Sequence, residues 1–134
     1  MNDIPQELDW VGERAKCDLK SAFESLRKAV EKDVERYNTL SGIRSHIEFS
    51  SEPDWLFSVS RRSGIMKVAV FNRASDCIEI TVSASAQQSL RTVPVLTEAG
   101  QYKFRIEGED GEPMFEWQLR RRVLEPLLFP NQGA

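Results

Sequence analysis

From Leu8 onward, apolar residues recur as Leu8, Val11, Ala15, Leu19, Ala22, Phe23, Leu26, Val30, Val34, Tyr37 and Leu40. This succession of threes and fours marks one stripe of an amphipathic helix. The other faces carry Glu13, Lys16, Lys20, Glu24, Arg27, Lys28, Lys32 and Glu35. Asp3 and Pro5 supply start signals and Ser41-Gly42 a stop, so the spacing predicts a helix over about residues 5–41. Unbroken, it would run about 55 Å at 1.5 Å per residue, against a width of about 35 Å for a compact domain of this size. Either it breaks near Gly12, where glycine weakens a helix, or one end carries its stripe, at Leu8 and Val11, onto another subunit.

After Gly42 the period changes to two. Ile43, Ser45, Ile47 and Phe49 alternate with Arg44, His46, Glu48 and Ser50, the pattern of a half-buried strand. Ser51-Glu52-Pro53-Asp54 is turn chemistry, and a second strand follows over 55–60. Arg61-Arg62-Ser63-Gly64 reverses the chain into a third strand over Ile65–Asn72, and Cys77–Ala84 alternates as a fourth. Ser85–Leu90 reads as a loop, and Arg91–Leu96 as a weaker strand whose Pro94 points to an edge or a bulge. Tyr102, Phe104 and Ile106 form another strand, and Gly108-Glu109-Asp110-Gly111 turns it toward Met114, Phe115 and Trp117. Leu119, Val123, Leu124, Leu127 and Leu128 then suggest a short helix over about 118–128, interrupted by Pro126.

The connections are short and polar, which favours an antiparallel meander over parallel units with long crossovers. The expected fold is therefore α+β: one domain over 1–134, with a long N-terminal helix packed on six or seven antiparallel strands and a short helix closing the chain. The third strand is apolar on both sides, with Met66, Val68 and Val70 on one face and Ile65, Ala69 and Phe71 on the other. The long helix can cover one face, which leaves the second for the terminal helix, another subunit or an apolar ligand.

Composition supports a folded chain, since 40% of its 134 residues are hydrophobic and seven Phe and three Trp are spread along it. A net charge of −3 works against general attraction to nucleic acid or anionic lipid. The acidic first twenty residues contain no apolar core of a secretory signal, and the longest apolar run, Val68–Phe71, is too short to span a bilayer, so a cytoplasmic location is expected. Cys17 and Cys77 lack CxxC spacing and are expected to be reduced thiols.

The chemistry-bearing residues are few. His46 is the single histidine, which excludes a multi-histidine metal site and leaves one base for any triad. Glu52 with Asp54, and Glu109 with Asp110 and Glu112, are acidic clusters at turns, and the second lacks the ligand spacing of a calcium loop. The glycines form no phosphate-binding motif, so neither a cofactor nor a metal is expected. Arg61-Arg62 and Arg120-Arg121-Arg122 are the basic clusters, and basic residues at a helix start oppose its dipole. An acidic partner, or ion pairs to Glu116 or Glu125, would offset that cost. No residue motif identifies a family.

What remains is a non-enzymatic protein-interaction module working as a homodimer, with a carrier or sensor of a small apolar ligand as the alternative. The candidate contact residues are Leu8, Val11, Trp55, Met66, Val68, Val70, Trp117, Arg120, Arg121 and Arg122. Trp55 and Trp117 are the expected lining of a ligand held between sheet and helix. The expected partners are a second copy of the chain, an acidic protein or a small apolar molecule, with no nucleic acid and no membrane.

Overall fold

The computed structural model describes residues 9–42, 47–61, 67–83 and 87–129. Three helices and six strands follow in the order α1 (Trp10–Lys16), α2 (Leu19–Ser41), β1 (Ile47–Ser50), β2 (Leu56–Arg61), β3 (Lys67–Arg73), β4 (Ile78–Ser83), β5 (Gln87–Leu96), β6 (Tyr102–Ile106) and α3 (Glu116–Leu128). The strands pair in sequence order as one antiparallel meander. The α+β architecture read from the sequence is thus the observed one.

The N-terminal helix is broken, but not at Gly12. Asp9 caps α1, its side chain accepting the Gly12 N–H at 3.2 Å. A side chain at position 12 would place its Cβ 2.3 Å from the Asp9 Oδ2, so glycine here permits the cap rather than ending the helix. The break falls at Cys17 and Asp18. Asp18 takes an extended conformation and caps α2 by accepting the Ser21 N–H at 3.2 Å. A short carboxylate that competes for backbone donors starts a new helix. The 23 residues of α2 span about 35 Å, so the length conflict disappears. Gly42, at φ 78°, then closes α2 with its N–H on the Asn38 carbonyl.

Ala22, Phe23, Leu26, Val30 and Val34 of α2 are buried, as their spacing predicts. They meet the inward positions of the sheet, which include Phe57, Val59, Ala69, Phe71, Ile78, Ile80, Phe104 and Ile106. At the centre Phe57 stacks on Phe71 with ring centroids 4.4 Å apart, and Phe23 leans on Phe57 from α2 at 5.1 Å. Thr92, the buried polar side chain of this core, donates to the Arg105 carbonyl at 2.8 Å, so its hydroxyl is not stranded.

Three further expectations are corrected. Residues 87–90 are strand rather than loop, because β5 pairs with β4 from Gln87 to Thr92 and with β6 from Thr92 to Leu96. Pro94 lies past the last β4 partner, at a local edge, as its missing N–H requires. The strand expected at Met114–Trp117 reduces to a single bridge, Met114 to Phe104, and α3 already begins at Glu116. Pro126 does not interrupt α3. It stands in the last turn, and Arg61 offers its Nη1 to the carbonyls of Leu127 and Leu128 at 3.2 Å each, satisfying the orphan acceptors there.

A fifth correction concerns the layers. The terminal helix does not cover the second face of the sheet. Leu119, Val123, Leu124, Leu127 and Leu128 of α3 join the same core as α2. Ser25 donates to Glu116 at 2.9 Å, Asp33 pairs with Arg120 at 2.7 Å, and Tyr37 meets Phe129 edge-on at 5.4 Å. These contacts advance together along both helices, so α2 and α3 lie side by side and parallel on one face.

Candidate functional site

With both helices on one side, no described helix covers the other side of the sheet. Its outward residues follow from the register. Ser58, Val70, Thr81 and Ser89 form one cross-strand row, and Ser60, Val68, Ser83 and Gln87 the next. The centre of this face, over β2 to β4, is built from short uncharged side chains, and Val68 and Val70 are half-buried within it. A third row runs Leu56, Asn72, Glu79 and Arg91, where Asn72 donates to Glu79 at 3.2 Å. Among the described residues, charge on this face lies at its borders: Glu48 on β1, Glu79 and Arg91 at one end of the central strands, Lys103 and Arg105 on β6.

Each edge of the sheet carries hydrogen bonds from outside it. Asn38 of α2 donates to the Ile47 carbonyl on β1 at 2.9 Å. At the other edge Met114 exchanges two backbone bonds with Phe104, and Glu13 of α1 accepts the Tyr102 N–H at 3.0 Å. These contacts obstruct strand addition at either side. The Tyr102 hydroxyl behind this corner is buried, and burial with the nearby acids Glu116 and Glu13 pushes its pKa well above the usual phenol range.

A second surface lies between α2 and α3, a groove of about 530 Å³. Leu124 and Leu128 form its floor, while Trp117 and Phe129, each about half exposed, stand at its rim. Asp33 and Arg120 form an ion pair in its wall, and Arg121 pairs with Glu125 at 3.3 Å.

The structure therefore gathers the predicted contact residues into two groups. Trp117, Arg120 and Arg121 share the groove, and Val68 and Val70 share the open sheet face. Arg122 points elsewhere and binds Glu109 with contacts of 2.8 and 2.5 Å, which holds that carboxyl below its ordinary range. The Arg triplet sits in the second turn of α3, behind Glu116, so its conflict with the helix dipole is small. Trp55 stands half exposed in the β1–β2 turn and does not line the groove that holds Trp117, and the space between sheet and helices is filled by the Phe23–Phe57–Phe71 cluster. Val11 is 60% exposed on α1, which buries none of its residues. Leu8, Met66 and His46 lie outside the described residues.

Phe129, Asp33 and the Ser and Thr rows were not singled out from the sequence. The repeat of Trp117, Arg121, Leu124 and Leu128 carried a signal for the groove, whereas nothing local paired Asp33 with a residue 87 positions away. Among the described residues, no group of three or more His, Cys, Asp or Glu stands close enough to hold a metal ion. Cys17 and Cys77 are free thiols. Burial raises the pKa of Cys77, partly offset by the Arg91 Nε–H donated to its sulfur at 3.3 Å. No described helix is long and apolar enough to cross a membrane. A comparison of the chain with protein-family models, with curated proteins and with solved structures finds no match.

Proposed function

We propose that this protein is a non-enzymatic protein-interaction module that works as a homodimer, two copies meeting across the open face of the sheet. The observation that carries the reading is the placement of α2 and α3 together on one side, which leaves Val68 and Val70 in an uncharged surface with charges only at its borders. An uncharged centre within a charged rim is the anatomy of a protein interface. The hydrogen bonds already made at the β6 edge, and at Ile47 on β1, favour stacking of sheets over their extension. The sequence-based argument for dimerisation, an overhanging helix, no longer supports it, because α1 turns back onto β6. Free thiols at Cys17 and Cys77 accord with a cytoplasmic setting.

Light scattering on the purified chain at micromolar concentration tests the reading. It should return about twice the 15.3 kDa chain mass, and a clean single-chain mass would end it.

The alternative, a small apolar ligand, is favoured by the groove, where Trp117 and Phe129 leave aromatic surface in water above an apolar floor. The filled interior does not offer it the place between sheet and helix. A saturable change in Trp117 emission with a hydrophobic dye, in a Trp10→Phe, Trp55→Phe background, would support it. A flat titration would remove it.

A further inference from the structure

A second interaction surface lies on the helix side of the molecule, and we propose that the groove between α2 and α3 receives an acidic amphipathic helix of a partner protein. This groove and the face bearing Val68 and Val70 lie on opposite sides of the sheet, so neither surface depends on the other.

Helix geometry places a bank of positive charge along the groove. Ser25, Asp33 and Tyr37 of α2 meet α3 through Glu116, Arg120 and Phe129. With the half-buried Ala29 they form a row at spacings of four. Successive residues turn about 100° around the axis, so Lys32 lies on the outer side of Asp33, as the buried Val34 lies on its inner side. Lys28, Lys32 and Arg36 thus make the next row outward, again at spacings of four, and all of them are exposed. No described residue forms an ion pair with any of the three. Glu31 and Glu35 fall one row farther from α3. The charges inside the groove, by contrast, are already matched, Asp33 with Arg120 and Arg121 with Glu125. What is left over along this bank is therefore positive, on a chain whose net charge is −3.

This surplus decides among occupants. A small apolar molecule would fill the floor of Leu124 and Leu128 between Trp117 and Phe129 and would leave the cations unanswered. A purely acidic surface would answer the cations and leave the aromatic rim in water. A segment with apolar side chains on one side and carboxylates on its flank satisfies both. Its backbone groups must be satisfied from within, because both walls are helices whose own N–H and C=O groups bond along their axes. A helix meets that need and an extended peptide does not. From Trp117 to Leu128 α3 rises about 17 Å, room for about three turns of a docked helix with apolar anchors at i, i+3, i+4 and i+7.

A synthetic helical peptide of about 15 residues, with leucines at i, i+3, i+4 and i+7 and glutamates on one flank, tests the proposal against a control that carries lysine at each glutamate. Trp117 emission in the full-length Trp10→Phe, Trp55→Phe chain should respond saturably to the acidic peptide at low salt, and at least about tenfold more weakly to the basic one. Lys32→Glu combined with Arg36→Glu should weaken the acidic peptide about tenfold or more and remove the preference for it, with far-UV circular dichroism unchanged. Val70→Lys should bind the peptide as the wild type does. Equal binding of both peptides, no saturable binding of the acidic one, or full affinity in the charge-reversed variant would overturn the proposal. A response to a hydrophobic dye alone would overturn it in favour of a small apolar ligand, and loss of a wild-type homodimer on charge reversal would overturn it in favour of a second copy in the groove.

Discussion

Arg120 reaches from α3 to α2 and places its Nη1 2.8 and 2.7 Å from the two carboxylate oxygens of Asp33. This pair ties together two helices that are far apart in sequence and sets them side by side on one face of the sheet. Neither of these two helices therefore covers the other face.

Because about a fifth of the Arg120 side chain and a third of that of Asp33 are exposed, solvent screens part of the attraction. Asp33→Asn should therefore cost about 1 kcal/mol, chiefly through the loss of charge-assisted hydrogen bonding to a half-buried guanidinium. Urea unfolding would show the midpoint fall with an unchanged slope. An unaltered midpoint would mean that the buried leucines of α3 alone hold the helix pair.

Phe57 is the hub of the core, in contact with Phe23, Phe49 and Phe71 and fully buried. Phe57→Ala should destabilise the fold by about 3–5 kcal/mol, from lost transfer energy and the cavity left among rings that cannot all collapse. Equilibrium denaturation checks this, and a loss of less than about 1 kcal/mol would mean that the ring cluster repacks freely.

Much of this was legible in the sequence where one period dominated over many residues. The buried stripe of α2 and the inward positions of β2 to β4 follow directly from spacings of three to four and of two. Three features were obscured because a local signal competed with a distant one. The break at Cys17–Asp18 preserves the apolar phase on both sides, so periodicity alone runs through it. Gln87–Leu90 is polar and flexible in composition, yet β4 supplies a full set of strand partners. The side of the sheet taken by α3 depends on Arg120, Ser25 and Phe129 finding partners in space, for which linear spacing has no term. The candidate contacts Val68 and Val70 were readable as doubly apolar strand positions, but that Lys103 and Arg105 stand beside Val95 and Val93 at the border of the same face emerges only with the register.

α1 buries none of its residues and is held at the β6 edge by the Glu13 carboxylate on the Tyr102 N–H. Glu13→Ala should release it locally while changing global stability by less than about 1 kcal/mol. Hydrogen exchange would then accelerate at Tyr102 and through α1, with α2 and the central strands as protected as before. Val11→Ser, on the same helix, should leave the dimer unaffected.

Arg122 holds the Glu109 carboxyl below its ordinary pKa by hydrogen bonding first and charge second. A carboxyl whose folded value is depressed adds stability that is present above the unfolded value and is lost as pH falls through the folded one. The effect here lies in the acidic range and is reduced by salt, since the carboxyl is in solvent. Arg122→Gln should return the Glu109 titration, followed by NMR, to the normal carboxylate range. An unmoved midpoint would assign the depression to another group.

The central claim is that two copies meet across the face bearing Val68 and Val70, and lysine at Val70 addresses it most directly. Its position between Ser58 and Thr81 points away from the core, so the monomer fold should tolerate the substitution while a dry, uncharged contact should not. Sedimentation equilibrium should give twice the chain mass for the wild type and the 15.3 kDa chain mass for Val70→Lys, with matching circular dichroism. A wild type at the single-chain mass, or a Val70→Lys variant that stays dimeric, would contradict the account.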